Sequence, residues 1–135
     1  MPARFQCVAF GPVWSWRLLG SNHRELARSA SPFAGLDEAT ADALATAVLA
    51  ATAPIEVTLA PDGTWHWTLT ADDVRRAAST TGYARRLECV RAVERFRSSA
   101  PAAEVSPTPL IHRRPFGQAA PLDRPLSPGR SRPRR

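Results

Sequence analysis

Two segments of the chain alternate between large apolar side chains and polar ones. Trp14–Leu18 and Trp65–Leu69 both have the pattern Trp-x-Trp-x-Leu, 51 residues apart, and together they contain all four tryptophans. A period of two is typical of a β-strand and puts the tryptophans and the leucine of each segment on one face. We therefore predict a strand at each segment, with these side chains in the core.

An alternating run precedes each of these strands, and a turn that contains glycine lies between the run and the strand. Each run and its strand predict a β-hairpin. A third strand is predicted near residues 24–31 in the first case and 74–80 in the second. The alternating positions of the runs are Phe5, Cys7 and Ala9 in the first and Ile55, Val57 and Leu59 in the second.

After each third strand the apolar positions change to a helical period. Asp37 is a candidate N-cap for a first helix that runs to about Ala51. A second helix is predicted from about Arg85 to Ser98. The apolar face is predicted at Ala41, Leu44, Ala45 and Val48 in the first helix, and at Cys89, Val93 and Phe96 in the second.

These elements divide the chain into residues 1–53, a first β-β-β-α repeat, residues 54–100, a second one, and residues 101–135, a disordered tail rich in proline and arginine. A single unit of this size buries too little surface to be stable alone. The predicted fold is therefore α+β, with one antiparallel sheet formed by both repeats and two helices on one face. Further matched positions are Leu26-Ala27 with Ala77-Ala78, Ser29 with Thr80, and Phe33 with Tyr83. The predicted core positions are Trp14, Trp16, Leu18, Trp65, Trp67 and Leu69.

A known family has the same succession of features. An aromatic-x-Trp-x-Leu strand, then Ala78-Ser79, Gly82-Tyr83 and a helix follow its pattern, and residues 4–100 as a whole resemble the YegP-like domain of unknown function, DUF1508. The resemblance implies a single antiparallel sheet of two β(3)-α motifs that exchange their C-terminal helices. It implies no activity. The chain departs from the pattern at the turn between the second and third strands, where Asn22-His23 and Asp72-Asp73 replace an Asn-Gly type of sequence.

The net charge of +6 is concentrated in the tail. Residues 101–135 contain seven arginines and two acidic residues, a net of +5, whereas residues 1–100 have a net charge of +1. The two cysteines exclude a disulfide scaffold and a cysteine-based zinc site. The N-terminal segment has no apolar stretch of signal-peptide length, and no apolar run is long enough for a membrane span. We therefore expect a cytoplasmic protein without membrane contact.

The residues that could carry chemistry have simpler structural explanations. His66 lies between two tryptophans and is expected to face away from them, while His23 and His112 show no metal-ligand spacing. Cys7 and Cys89 are expected in the core, and Asp72-Asp73 is typical of a turn. No catalytic motif is present. The sequence predicts no catalytic residue, no metal and no cofactor, and hence a protein that is not an enzyme.

The function itself is unknown at this stage, and two binding hypotheses remain. The first is an interaction module with a protein partner, whose binding surface is the sheet face of Ser15, Arg17, His66 and Thr68 rather than a stacking platform of tryptophans. The second is weak, sequence-independent binding of nucleic acid by the tail. The candidate phosphate contacts are Arg113, Arg114, Arg130, Arg132, Arg134 and Arg135. A monomer and a helix-exchanged dimer are both compatible with the predicted fold.

Overall fold

The structure is a computed structural model and describes residues 2–112. The element order is β-β-β-α twice, followed by a short 3-10 turn and two short strands. The elements are β1 (Arg4–Phe10), β2 (Val13–Leu19), β3 (Glu25–Ser29), α1 (Leu36–Leu49), β4 (Ile55–Leu59), β5 (Trp65–Ala71), β6 (Val74–Ala78), α2 (Arg86–Ser99), the 3-10 turn (Ala100–Ala102), β7 (Glu104–Val105) and β8 (Leu110–His112). We call residues 2–53 the first half and 54–100 the second half.

All strands join one sheet in the order β4-β5-β6-β3-β2-β1-β7, and β8 also pairs with β1. The six strands of the two halves are antiparallel to their neighbours. The halves meet at β3 and β6 through two register pairs, Arg28 with Ala78 and Ser29 with Ala77. The α+β class is thus confirmed. The tandem repeat itself stays an interpretation of the sequence.

Residues 101–112 differ from the prediction, because they are structured rather than disordered. β7 and β8 pair in parallel with β1, so the sheet is mixed and not wholly antiparallel. The Ser106 amide donates a hydrogen bond to the Phe5 carbonyl at 2.7 Å. Ala103 is buried and Val105 packs against the core. The high proline and arginine content of residues 101–135 led to a prediction of disorder for the whole tail. Its short apolar segment was therefore not recognised as a cover for one edge of the sheet.

The helices lie on one face of the sheet, as predicted, and a single core lies between them and the strands. Trp16 and Trp67 are fully buried in it. The Phe5 ring meets the edge of Trp16 with ring centroids 5.2 Å apart, and Phe96 of α2 packs on Trp67 at 4.7 Å. Rings in such tilted contacts stabilise a core beyond the area that they bury.

The predicted apolar face of α1 is wrong. Leu44 and Val48 are exposed to 52% and 80%, so the larger side chains of this helix point outward. The buried side of α1 consists of the small or polar residues Ala39, Asp42, Ala43, Thr46 and Ala47. Alanines let the helix backbone approach the sheet closely at the place where the Trp16 indole already fills the space. Asp42 accepts a hydrogen bond from Trp16 Nε1 at 2.7 Å, which explains a carboxylate on the inner side.

Asp37 is not the N-cap. Helix α1 begins at Leu36 after the extended residue Gly35, and Asp37 lies in the first turn without capping. A carboxylate in the first turn still interacts favourably with the helix dipole.

Each helix packs mainly on its own half. Helix α1 contacts β1 and β2 and, less extensively, β6, while α2 contacts β4 and β5 and, as extensively as β4, also β3 of the first half. The exchange of helices that the resemblance implies stays a prediction. Trp14 and Phe33 exchange backbone hydrogen bonds of 2.8 and 2.7 Å, and Trp65 and Tyr83 exchange bonds of 2.8 and 2.9 Å. These bridges hold the segment before each helix against the second strand of the same half.

In the structure, the equivalent residues of β3 and β6 differ by one position from those that the sequence comparison matched. Ala27 pairs with Leu18 and Ala77 with Leu69, so these two alanines are equivalent. The hydroxyls of Ser29 and Ser79 likewise each accept a hydrogen bond at 3.3 Å from a tryptophan amide. The correct offset is therefore 50 residues, because the segment from Leu18 to Ala27 is one residue longer than the segment from Leu69 to Ala77.

Candidate ligand-binding groove on the open face of the sheet

The sheet face opposite the helices carries a groove in the first half. Its volume is about 650 Å³, within the range of small-ligand pockets. β1, β2 and β3 form its floor, and the segment of residues 30–32 forms one wall. The residues that line it are Val8, Phe10, Val13, Ser15, Trp16, Arg17, Glu25, Arg28, Ser29, Ala30, Ser31 and Pro32.

The groove depends on a small side chain at Ser15. The equivalent residue of the second half is His66, whose Nε2 is 2.8 Å from Thr64 Oγ1. There, a Cβ on Gly82 would lie 2.7 Å from the Thr64 side chain and 2.9 Å from His66 Nε2, so the backbone packs directly on these groups and only glycine fits. In the first half Pro32 takes the place of Gly82. Because Ser15 leaves the space that His66 fills, the first half has a groove there.

Two arginines lie side by side on the groove floor. Arg17 of β2 and Arg28 of β3 are register partners, and like charges in this position repel each other. Arg17 donates from Nε and Nη2 to Gln6 Oε1 at 3.1 and 2.7 Å, and its Nη1 is 3.7 Å from Glu25 Oε1. Glu25 also accepts a hydrogen bond from Thr80 at 2.6 Å. Among residues 2–112, Arg28 has neither a hydrogen bond nor an ion pair from its side chain.

The apolar part of the groove lies beside this charge. Val8 is buried, and Phe10 and Val13 are partly buried on the same face. An exposed guanidinium next to apolar side chains can bind a ligand that presents an anionic group next to an apolar body. Arg17 is fixed in place by its bonds to Gln6, whereas none of the guanidinium donors of Arg28 is bonded to another residue of 2–112.

The predicted core residues all lie on the helix side or at its margin. Trp16, Leu18, Trp67 and Leu69 have no exposure, while Trp14 and Trp65 are partly buried and pack against the core. Ser15, Arg17, His66 and Thr68 alternate with them and face the open side. Only Ser15 and Arg17 of these four line the groove. The six arginines predicted to contact nucleic acid, from Arg113 to Arg135, lie outside the described residues.

The remaining titratable candidates are buried or already bonded. Burial raises the pKa of the Cys89 thiol, which the nearby Arg86 only partly opposes. Cys7 is buried with its Sγ 3.6 Å from Thr40 Oγ1. The hydroxyl and the amide of Thr64 hold the pKa of Asp62 below its usual range. Within residues 2–112, no group of three acidic, histidine or cysteine side chains is placed to hold a metal ion.

Sequence reasoning missed two features of the polar structure. Arg28 was not singled out, because its pairing with Arg17 depends on the register shift next to Leu18. Asp42 was missed as well, although a buried carboxylate joins the halves through Arg76 Nη1 at 2.9 Å. An acidic residue in the middle of an alanine-rich helix was the available signal for it.

A second cavity, of about 750 Å³, lies between the turn from β2 to β3 and the end of α2. Its charged lining consists of Arg24, Glu25 and Arg95. Glu25 is bonded to Thr80. The large apolar residues of its lining are Leu26 and Tyr83. Because it lacks a pair of arginines on neighbouring strands, we regard the groove of the first half as the stronger candidate.

The arrangement of six antiparallel strands in two β-β-β-α halves, with both helices on one face, is the fold of a YegP-like domain. Two solved structures share it. The chain is similar to yegP of E. coli, a protein of unknown function, with a TM-score of 0.63 and 14% identity over 78% of this chain and 92% of that one. It is also similar to the UPF0339 protein SO3888 of Shewanella oneidensis, with a TM-score of 0.69 and 11% identity over 78% and 91%.

At such low identity the likeness establishes the fold and no activity. No protein-family model matches the chain, and no curated protein matches it. Neither helix in the described part of the chain has the length and apolar character needed to cross a membrane.

Proposed function

We propose that the protein is a non-enzymatic binding module and that its site is the groove on the open face of the first half. The ligand is an organic anion: a carboxylate, sulfonate or phosphate group attached to an apolar body. The observation that carries this proposal is the pair Arg17 and Arg28 on the floor of a cavity of about 650 Å³. Without a ligand this pairing costs stability, whereas an anion between the two guanidinium groups would offset the repulsion.

Binding without catalysis is the better supported function for this site. Neither cysteine lines the groove, and Cys89 is a buried thiol whose pKa is raised. A nucleophilic thiolate needs the opposite environment, partly open and electropositive. His66 is the histidine that could most readily act as a general base, but it lies in the other half and its ring is bonded to Thr64. We propose no cofactor, and a cytoplasmic location is part of the proposal because both cysteines are unpaired thiols.

An anilinonaphthalene sulfonate is a suitable probe, since it combines an anionic group with an aromatic body. We expect its fluorescence to rise on titration with the full chain, with one saturable site. Arg28→Gln should weaken binding about tenfold or more, because it removes a charge-assisted interaction. Competition with alkyl carboxylates and aryl phosphates would then rank the natural anion classes.

The matched control is Arg75→Gln, which removes an exposed arginine elsewhere on the sheet. Equal affinity of the Arg28→Gln protein and the native chain would show that the dye binds elsewhere and would refute the proposed site. Circular dichroism of each variant checks that the fold is retained, because partly folded proteins also bind such dyes.

Binding of nucleic acid by the tail stays the alternative proposal. It is supported by the net charge of +5 in residues 101–135, and its candidate contacts lie outside the described residues. A full-length chain with Arg113, Arg114, Arg130, Arg132, Arg134 and Arg135 changed to Gln tests it. If the tail binds phosphates, native affinity for duplex DNA should fall with salt at a slope of about −2 to −4, and the variant should lose this binding.

A further inference from the structure

β4 is the uncovered edge of the sheet. In the described part of the chain, β5 pairs with its inner side and no strand pairs with its outer side. In an antiparallel pair, residues that bond to the neighbouring strand alternate with residues that do not. The hydrogen bonds from the Ala60 amide to Thr64 and from the Thr70 amide to Pro54 show which residues of β4 belong to each set. It follows that Glu56 and Thr58 bond to β5, and that the amides and carbonyls of Ile55, Val57 and Leu59 point outward.

The equivalent edge in the first half is covered by the chain itself. Phe5, Cys7 and Ala9 of β1 correspond to Ile55, Val57 and Leu59, and their outer side carries β7 and β8. Those three side chains are at most 5% exposed, whereas Leu59 is 57% exposed and Ile55 and Val57 are only partly buried. Within residues 2–112, the same position in the fold therefore has a strand in one half and an apolar, unpaired edge in the other.

We propose that β4 binds an extended segment of a partner protein, which adds to the sheet in parallel as β7 adds to β1. By equivalence with Ser106 and Phe5, an amide of the partner donates to the Ile55 carbonyl. Alternate side chains of the segment are apolar and pack beside Ile55, Val57 and Leu59 on the helix side. Main-chain bonds supply affinity and the alternate side chains supply specificity in this mode of binding.

Charge defines the partner further. At the open edge the charged residue is Glu56, which is exposed on the open face. The bound segment should therefore carry a basic residue between its apolar ones, opposite Glu56.

A second copy of this chain fits the edge less well. β4 has five residues and lies between Pro54 and Pro61, so two copies could pair over only about 17 Å of strand. Specific interfaces between folded proteins need about 1,000 Å² or more, which such a short ladder does not provide. A flexible peptide needs only the strand itself.

The test measures fluorescence anisotropy of a labelled peptide, Gly-Ser-Val-Arg-Val-Thr-Val-Ser-Gly, with the full-length protein. Its companion has Glu in place of Arg. We expect the arginine peptide to bind about two- to fivefold more tightly, and Glu56→Arg to reverse that order. Val57→Pro should reduce binding at least tenfold, because it removes an outward amide that β5 does not use. Val48→Glu changes an exposed apolar residue on α1 and should have no effect.

Binding of both peptides with equal affinity to the native and Glu56→Arg chains would overturn the proposal, as would undiminished binding to Val57→Pro. The charge reversal keeps the test decisive if the proline variant fails to fold. Sedimentation of the native chain that revealed a dimer sensitive to Val57→Pro would assign the edge to a second copy instead. The groove variant Arg28→Gln should bind the peptide normally, so this proposal and the proposed function can fail separately.

Discussion

The two halves of the molecule have the same order of elements but differ in their polar interior. In the first half Trp16 Nε1 donates to Asp42, and Asp42 also binds Arg76 of the other half. In the second half the corresponding position of α2 is Ala92, and Trp67 Nε1 has no hydrogen-bond acceptor among residues 2–112. One indole is thus anchored by a carboxylate, while the other is held by packing against Phe96.

The open face shows the same difference. The first half has a groove with two arginines where the second half has His66 packed under Gly82. A fold with equivalent halves therefore carries its candidate ligand site in one half and its uncovered edge in the other. The comparison teaches that a few side chains, Ser15 or His66 and Asp42 or Ala92, decide what each half can do.

The largest effect should come from Asp42→Ala. This change leaves the indole N–H of Trp16 buried without an acceptor and Arg76 without its partner. We expect a loss of about 2–4 kcal/mol in the free energy of unfolding. Urea unfolding followed by tryptophan fluorescence measures it. Asp37→Ala, an exposed change in the same helix, should cost less than about 1 kcal/mol. Similar costs for the two variants would contradict the view that Asp42 anchors the first half.

Loss of a hydrogen bond that covers the β1 edge should have a smaller effect on the free energy of unfolding. Ser106→Pro removes the amide that donates to Phe5 at 2.7 Å, and we expect destabilisation of about 1–2 kcal/mol. Val57→Pro on the open edge loses no hydrogen bond within the described chain and should cost less. Thermal melts of the two variants compare the edges directly. An equal loss in both would contradict a stabilising role for the Ser106 hydrogen bond at the covered edge.

Replacing Ser15 by the equivalent residue of the second half, and His66 by that of the first, should change dye binding with little effect on stability. Ser15→His places the second-half residue in the groove, and we expect dye affinity to fall at least tenfold because the cavity is filled. His66→Ser removes the filling residue from the other half, but Thr68 and Ala78 stand there in place of Arg17 and Arg28. We expect no anion binding to be gained. A new site in His66→Ser would show that shape, and not charge, determines the ligand.

The smallest effect concerns alkaline pH. Burial raises the pKa of Cys89 above the ordinary 9.0 of a thiol. The folded form therefore retains its proton where the unfolded form has lost it. Stability linked to this group is complete below about pH 9 and declines as pH rises through the folded pKa. The urea midpoint of the native chain should fall between pH 8 and pH 10 more than that of Cys89→Ala, and a thiol reagent should modify the folded chain slowly at pH 8.

The strands at the tryptophan segments could be predicted because large residues alternate there. Helix α1 could be located but not oriented, since its buried face is made of alanines and a bonded aspartate while Leu44 and Val48 are exposed. Periodicity gives weight to large apolar side chains, and here the small ones pack inward. The two-residue strand β7 is too short for any period to reveal.

The open face was predicted as the better binding surface, and Ser15 and Arg17 were named in it. Arg28 and the groove were not, because both depend on the register between β2 and β3 and on the path of residues 30–32. These are properties of the chain in three dimensions. A pattern along the sequence does not contain them.

The narrow junction between β3 and β6 has a consequence for the order of folding. Its two register pairs join residues about 50 positions apart, whereas the hairpins close over short turns. Because chain entropy opposes long closures more than short ones, hairpins assemble early and the junction forms late. The junction should also open before the β1–β2 hairpin in the native ensemble, so its amides should exchange with solvent sooner than those of β1 and β2. When it parts, Ala27 and Ala77 lose their cover together, and the protein behaves for that moment as two tethered subdomains.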